Sequence, residues 1–194
     1  MDCGGPCPPC RDCDPEGKRV FITSAKYSGD LEEPLGVEGG LAGADALCQV
    51  HADLAELGGT WKAWLSSTRE SPDDDAHDAI DRIADVGPWY LADRCTVVAA
   101  SRTSLTINGL EAPIRLDENE VALADEDTEV WTGTNRFGRD DTFTNNSVCQ
   151  RWTTNDTSSK AVYGSPYLEW DNEGWTNFDR ATCTVEKRLL CMEQ

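Results

Sequence analysis

Residues 40–59 read GLAGADALCQVHADLAELGG, and the last seven, residues 188–194, read RLLCMEQ. In the first stretch Leu47, Val50, Leu54 and Leu57 recur at helical spacing, which predicts a helix from Ala44 to Leu57 that Gly58 stops. Cys48 lies beside that apolar stripe. The second stretch extends a run from Lys187 to Met192 that reads as a strand and carries Cys191. A helix near the start and a strand at the end each carry one cysteine, and the rest of the chain is read outward from them.

Ahead of the helix, Val20, Phe21, Ile22 and Thr23 read as a buried strand, followed by a glycine-rich loop from Gly29 to Gly43. After it, Trp61 to Leu65 reads as the next strand. Pro72 to Val86 reads as a second helix. Asp73, Asp74 and Asp75 sit at its positive end, Ile80, Ile83 and Ala84 form its inner face, and Gly87 ends it. Trp89 to Leu91 and Thr96 to Ala99 are strand-like, Ser101 to Asp127 is polar and irregular, and Val130 to Thr132 is a short strand. From Gly133 to Phe178 the chain is rich in Asn, Asp, Thr, Ser and Gly with scattered Trp. That length and composition predict an ordered, functional loop region.

The chain has 194 residues, 39% of them hydrophobic, with seven Trp, so a packed globule is expected rather than a disordered chain. Thirty-six acids against 17 bases give a net charge of −19. Such a surface repels phosphate backbones and anionic lipid, which sets nucleic acid aside as a partner. Either these carboxylates serve solubility, or some of them converge on a hard cation such as calcium. No stretch is apolar enough for a membrane span. The opening Met-Asp-Cys has no charged or apolar leader, so export would place a cleavage point upstream of this sequence.

Nine cysteines point to an oxidising compartment. Four of them, Cys3, Cys7, Cys10 and Cys13, stand in MDCGGPCPPCRDCDPEG, which has almost nothing to bury. Residues 1–17 are therefore expected to be a tail or linker and residues 18–194 the domain. Two local bridges in this tail, a bond from one of its cysteines to Cys95, a lipid anchor on Cys3, and a zinc site are the readings open here, local disulfides ahead of lipidation and zinc last.

Several ordered motifs carry a resemblance: VFITSAKYSG (20–29), GLAGADALCQ (40–49), TWKAWLS (60–66), API-LDEN (112–119), VWTGT (130–134) and RLLCMEQ (188–194). Together they resemble a bacterial domain family of unknown function, found in secreted proteins and surface lipoproteins and grouped with the endostatin-like and C-type-lectin-like folds. The resemblance covers residues 18–194. It implies an α+β, C-type-lectin-like fold, with two helices flanking small antiparallel sheets and a long irregular loop region. It also implies disulfides Cys48–Cys191 and Cys149–Cys183. The first would close a loop of more than a hundred residues, valued by chain entropy at roughly 4–5 kcal/mol.

Sugar-binding C-type lectins ligate calcium through a Glu-Pro-Asn or Gln-Pro-Asp triplet and a Trp-Asn-Asp triplet. The matching region here, GSPYLEWDNEGWTNFDRATC (164–183), keeps Pro166 between Ser165 and Tyr167 and spaces Trp175, Asn177 and Asp179 differently. By chemistry alone, Glu169, Asp171, Asn172, Glu173, Asn177 and Asp179, with Asp140 and Asp141, offer oxygens for calcium, the candidate cofactor. The alternative for each is a solvated loop acid in an Asx turn. Trp152 and Trp175 are assigned to the core. Trp170, with Tyr167 and Asn135, is the candidate ligand-binding set, because aromatic faces suit pyranose rings.

His51 is read as structural and His77 as lying in an acidic, exposed helix start. No serine elbow, HExxH, Walker loop or Rossmann pattern is present, so an enzyme is not expected. The expected role is an extracellular recognition or adhesion module that binds a glycan or protein through the 133–178 region at a bacterial surface. The alternative is a structural module that assembles into a filament or matrix through its Cys-rich tail.

Overall fold

The structure, a computed structural model, describes residue 13 and residues 16–68, 77–140, 148–167 and 173–194. Eight strands form one connected sheet: β1 Lys18–Ile22, β2 Trp61–Ala63, β3 Trp89–Leu91, β4 Val97–Ala99, β5 Val130–Trp131, β6 Lys160–Gly164, β7 Asp179–Thr182 and β8 Arg188–Glu193. Its order is β4-β3-β1-β8-β5-β6-β7, with β2 also on β8. β1 occupies one edge of β8, while β2 and β5 share the other end to end, pairing with residues 191–193 and 188–189.

The last strand is therefore the centre of the sheet. All six residues of β8 are buried, which is why RLLCME lacks polar alternation: a strand covered on both faces needs apolar or fully paired side chains on both. Its two ionic residues are paired. Arg19 Nε lies 2.9 Å from Glu193 Oε2, and Arg188 donates to the carbonyls of Thr23, Ser24 and Asp127.

The pleat sorts the core into two clusters. Phe21, Leu189 and Cys191 join Leu47, Cys48, Trp61, Trp131 and Trp152 in one cluster, beneath helix α1 (Gly40–Leu54). Val20, Ile22, Leu190 and Met192 join Trp64, Trp89, Val130 and Trp175 in the other. Trp152 and Trp175 are buried, at 0% and 1% exposure, the core positions read for them in the sequence.

Helix α1 buries a different stripe from the one its leucines suggested. Gly40, Gly43, Ala44, Leu47, Cys48, His51 and Ala52 face inward, whereas Leu54 is 79% exposed and Val50 half-exposed. Small residues win this face because the helix lies close to backbone: a Cβ on Gly43 would stand 2.1 Å from the Leu31 carbonyl oxygen.

The mixed α+β class is as expected, but the arrangement differs in three respects. The sheet is not a set of small antiparallel sheets: β1–β3 and β5–β8 pair in parallel and join everything into one. Of the second helix only the single turn α2, Ala79–Arg82, is found among the described residues. Ile83 leaves it in extended backbone and is buried. Arg82 holds the turn by donating to the carbonyls of Ala63 and Leu65 and pairing with Asp45 at 2.6 Å. Local periodicity yields here to tertiary hydrogen bonds. The 101–127 segment is less irregular than expected, since α3 (Arg102–Ile107) starts with a reciprocal Ser101/Ser104 capping box. The 133–178 region likewise contributes β6 to the sheet.

Disulfide Cys48–Cys191 ties α1 to β8, and Cys149–Cys183 ties the loop region to the end of β7. A third joins Cys13 to Cys95, which resolves one of the open pairings and runs against the preference for bridges inside the tail. Among the described residues no helix is long and apolar enough to cross a membrane.

Candidate functional site

Four consecutive non-glycine residues, Cys149–Trp152, have φ of 48°, 49°, 65° and 66° and form one left-handed turn. Each L-residue in this conformation costs roughly 1–2 kcal/mol, because Cβ crowds the following carbonyl. The surroundings over-determine the turn. Cys149 is bonded to Cys183. Trp152 Nε1–H donates to the Ser66 carbonyl at 2.8 Å, and its ring packs 5.7 Å from that of Trp131. The Trp152 carbonyl accepts from Leu31 N–H at 2.9 Å. Against this turn sits Gly40, where a Cβ would stand 2.3 Å from the Arg151 carbonyl oxygen.

Between the turn and the start of α1 opens a cleft of about 340 Å³. Its walls come from Glu32, the helix start at Gly39–Ala42, Ser67, His77, and Arg151 and Thr153. Glu32 Oε1 accepts from Gly39 N–H at 2.6 Å, and Ser67 N–H donates to the His77 carbonyl at 2.8 Å, so two of the walls are pinned to each other's backbone. Beyond Thr153, Asp156 organises the next loop. Its carboxyl is held down at about 2, first by the Ser159 backbone N–H and then by the Ser158 and Thr154 hydroxyls. The lining mixes carboxylate, guanidinium, imidazole, hydroxyl and aliphatic groups around a volume within the range of small-ligand sites.

A second polar cluster is buried away from this cleft. Glu118 Oε1 lies 2.7 Å from His51 Nδ1 and also accepts from the Ser24 hydroxyl, while His51 Nε2 lies 2.7 Å from the Tyr27 hydroxyl. Burial would raise the Glu118 carboxyl, but the hydrogen bonds from His51, Ser24 and the backbone outweigh it and hold the group at about 2. Burial, and then the Glu118 charge, pushes the Tyr27 phenol above its usual value. A phenol held neutral is a poor nucleophile, and the cluster joins three segments of backbone. His51 is buried on the inner face of α1.

The described residues singled out in the sequence are engaged in local contacts. Asn135 is taken up by a turn, its Oδ1 accepting from the N–H groups of Phe137 and Arg139. The Tyr167 ring lies 5.7 Å from the Arg115 guanidinium. Glu173 faces Arg136 at 3.8 Å, the Asp179 carboxylate accepts from Arg180 N–H, Asn177 N–H donates to the Glu173 carbonyl, and Asp140 N–H donates to Asp78. Among the described residues no three His, Cys, Asp or Glu side chains come together as a metal site. Asp141, Glu169, Trp170, Asp171 and Asn172 lie outside the described residues.

Of the cleft residues, only Arg151 and Thr153 fall in the region expected to bind, and none was singled out as a ligand contact. The Gly39–Gly40 pair ahead of the helix was the available signal. Nothing in Cys-Gln-Arg-Trp announces a left-handed turn.

No protein-family model matches the chain, and no curated protein matches it.

Proposed function

We propose that this chain is an extracellular recognition domain of C-type-lectin-like architecture that binds a glycan in the cleft between helix α1 and the left-handed turn Cys149–Trp152. The observation that carries the reading is the turn itself. Strained backbone persists where the surroundings force it and clusters at ligand sites, and here it forms one wall of a cleft. Hydroxyl, carboxylate and guanidinium groups beside Leu41 match a ligand with hydroxyl edges and apolar faces. Three disulfides support an oxidising location, and the tie from first helix to last strand supports the fold assignment.

The test is a glycan array, read with and without added calcium, using the wild-type chain and Ala42→Trp. Ala42 is an exposed cleft residue of α1, so the indole obstructs the cleft without entering the core. Binding by the wild type and its loss in Ala42→Trp are the expected results. Equal binding by the two, or no glycan bound by either, refutes the proposal, and the second outcome turns the search to a protein ligand.

A further inference from the structure

The cleft between α1 and the left-handed turn sorts its polar groups unevenly. Arg151 contributes a guanidinium, which carries N–H donors and no acceptor, and His77 contributes an imidazole. Gly40, Leu41 and Ala42, the first residues of α1, line the same wall. That turn holds no acidic residue, and Gly39 before it brings no capping side chain, so the positive end of the helix adds to the Arg151 charge. Acceptors are fewer. Glu32 is the one carboxylate among the lining residues, and its Oε1 already accepts from Gly39 N–H at 2.6 Å. The Thr153 hydroxyl donates to the Gln150 carbonyl at 2.8 Å and keeps its lone pairs for a ligand hydroxyl. A wall rich in donors and poor in acceptors is complemented by a ligand that brings acceptors.

The backbone beneath Arg151 is fixed from both sides. Gln150 Nε2 donates to Asp156 Oδ2 and Ser159 Oγ, each at 3.3 Å, and Trp152 is buried with its indole N–H on the Ser66 carbonyl. The Arg151 side chain itself is exposed, so a ligand in the cleft can reach it. A cation on a backbone already held in place loses less freedom when it closes on a ligand. The net charge of −19 opposes an anion at long range. Screening confines that repulsion to about 8 Å at physiological ionic strength, whereas a guanidinium–carboxylate pair forms at about 3 Å. Contact therefore decides the sign of the interaction.

We infer that the sugar unit held in this cleft is an acidic one, of uronic or sialic acid type, whose carboxylate pairs with the Arg151 guanidinium. A carboxylate is acceptor-only and planar, which suits the fork of an arginine. The hydroxyl edges of the same sugar meet Glu32 and Thr153, and its apolar face lies on Leu41. The inference rests on the glycan reading of the cleft and adds to it the charge of the ligand and the residue that selects it.

The full chain is applied to a glycan array that carries neutral, uronic-acid and sialic-acid glycans, read before and after methyl esterification of the array's carboxylates. The wild type is expected to bind carboxylate-bearing glycans and to lose about tenfold or more in affinity on esterification, the loss of a charge-assisted pair. Arg151→Gln keeps Cβ and removes the charge. It is expected to bind acidic glycans no better than their esters, with the Tm of the wild type. Arg151→Lys keeps the charge and is expected to retain a preference for the acid. Binding of neutral glycans, or binding that survives esterification, overturns the inference and leaves the glycan reading standing. No glycan bound in either state refutes the glycan reading itself and this inference with it. An undiminished acid preference in Arg151→Gln, or its equal loss in Arg151→Lys and Arg151→Gln, removes Arg151 as the selecting charge and overturns the inference.

Discussion

Replacing Arg151 separates a left-handed backbone from every other account of the cleft wall. Its φ and ψ are 65° and 34° and its side chain is exposed. Arg151→Ala removes the side chain and keeps Cβ. Arg151→Gly removes Cβ as well, so the difference between the two variants isolates the backbone. Alanine in this conformation costs roughly 1–2 kcal/mol. Glycine avoids that cost but loses about 0.5–1 kcal/mol more conformational entropy on folding. The glycine variant is therefore expected to be more stable than the alanine variant by about 0.5–1 kcal/mol, a shift of about 1–4 °C in Tm for a chain of this size. The same pair at Val50, exposed in the right-handed helix α1, has the opposite sign, with glycine less stable by about 1 kcal/mol. Urea denaturation of the four variants reads both differences. Glycine less stable than alanine at position 151 would refute the left-handed turn and remove the support for the cleft as a built site.

Gly40→Ala pushes a Cβ to 2.3 Å from the Arg151 carbonyl oxygen, and urea unfolding is expected to show a loss of about 1–3 kcal/mol together with weakened glycan binding. The double variant Cys48→Ser/Cys191→Ser opens a loop of 143 residues, with an expected loss of about 5 kcal/mol by chain entropy; an unchanged denaturation midpoint would contradict it. Glu118 has its carboxyl lowered from 4.5 to about 2, so its stabilisation is full above pH 4.5 and is lost as pH falls towards 2. The shift is worth about 3 kcal/mol at most, and Glu118→Gln should flatten the stability–pH curve in that window, as read by urea midpoints. An equally steep curve in the variant would show that another group carries the acid sensitivity.

Much of the strand content was legible because it rests on side-chain type alone. Val20–Ile22, Trp61–Ala63, Trp89–Leu91 and Leu189–Met192 are apolar runs between turn residues, and each is a strand or part of one. The helix at Cys48 was equally plain, although Val50 and Leu54 of its apolar stripe lie on the exposed face. A 15-residue helix packed on backbone buries the side that has no side chain to clash, and glycine and alanine carry little hydrophobic signal. β7 hid for a related reason. Asp179–Thr182 is an edge strand with a polar, partly exposed sequence, made a strand by its pairing with β6 rather than by its own pattern.

The sequence by itself, through its cysteine count and the resemblance its motifs carry, led to the mixed α+β class, to disulfide bonding, and to the core positions of Trp152 and Trp175, whose indoles are large apolar groups that avoid water. Tertiary structure alone decided the single mixed sheet with the last strand at its centre, the Cys13–Cys95 tie, and the cleft. Each of these joins residues far apart in the chain: Gly40 meets Arg151 and Trp152 across more than a hundred positions. The left-handed turn exists only because a disulfide, an indole and a helix start hold it from three directions. Local propensity opposes that conformation at every one of its four residues, so no reading of Cys-Gln-Arg-Trp by itself leads to it.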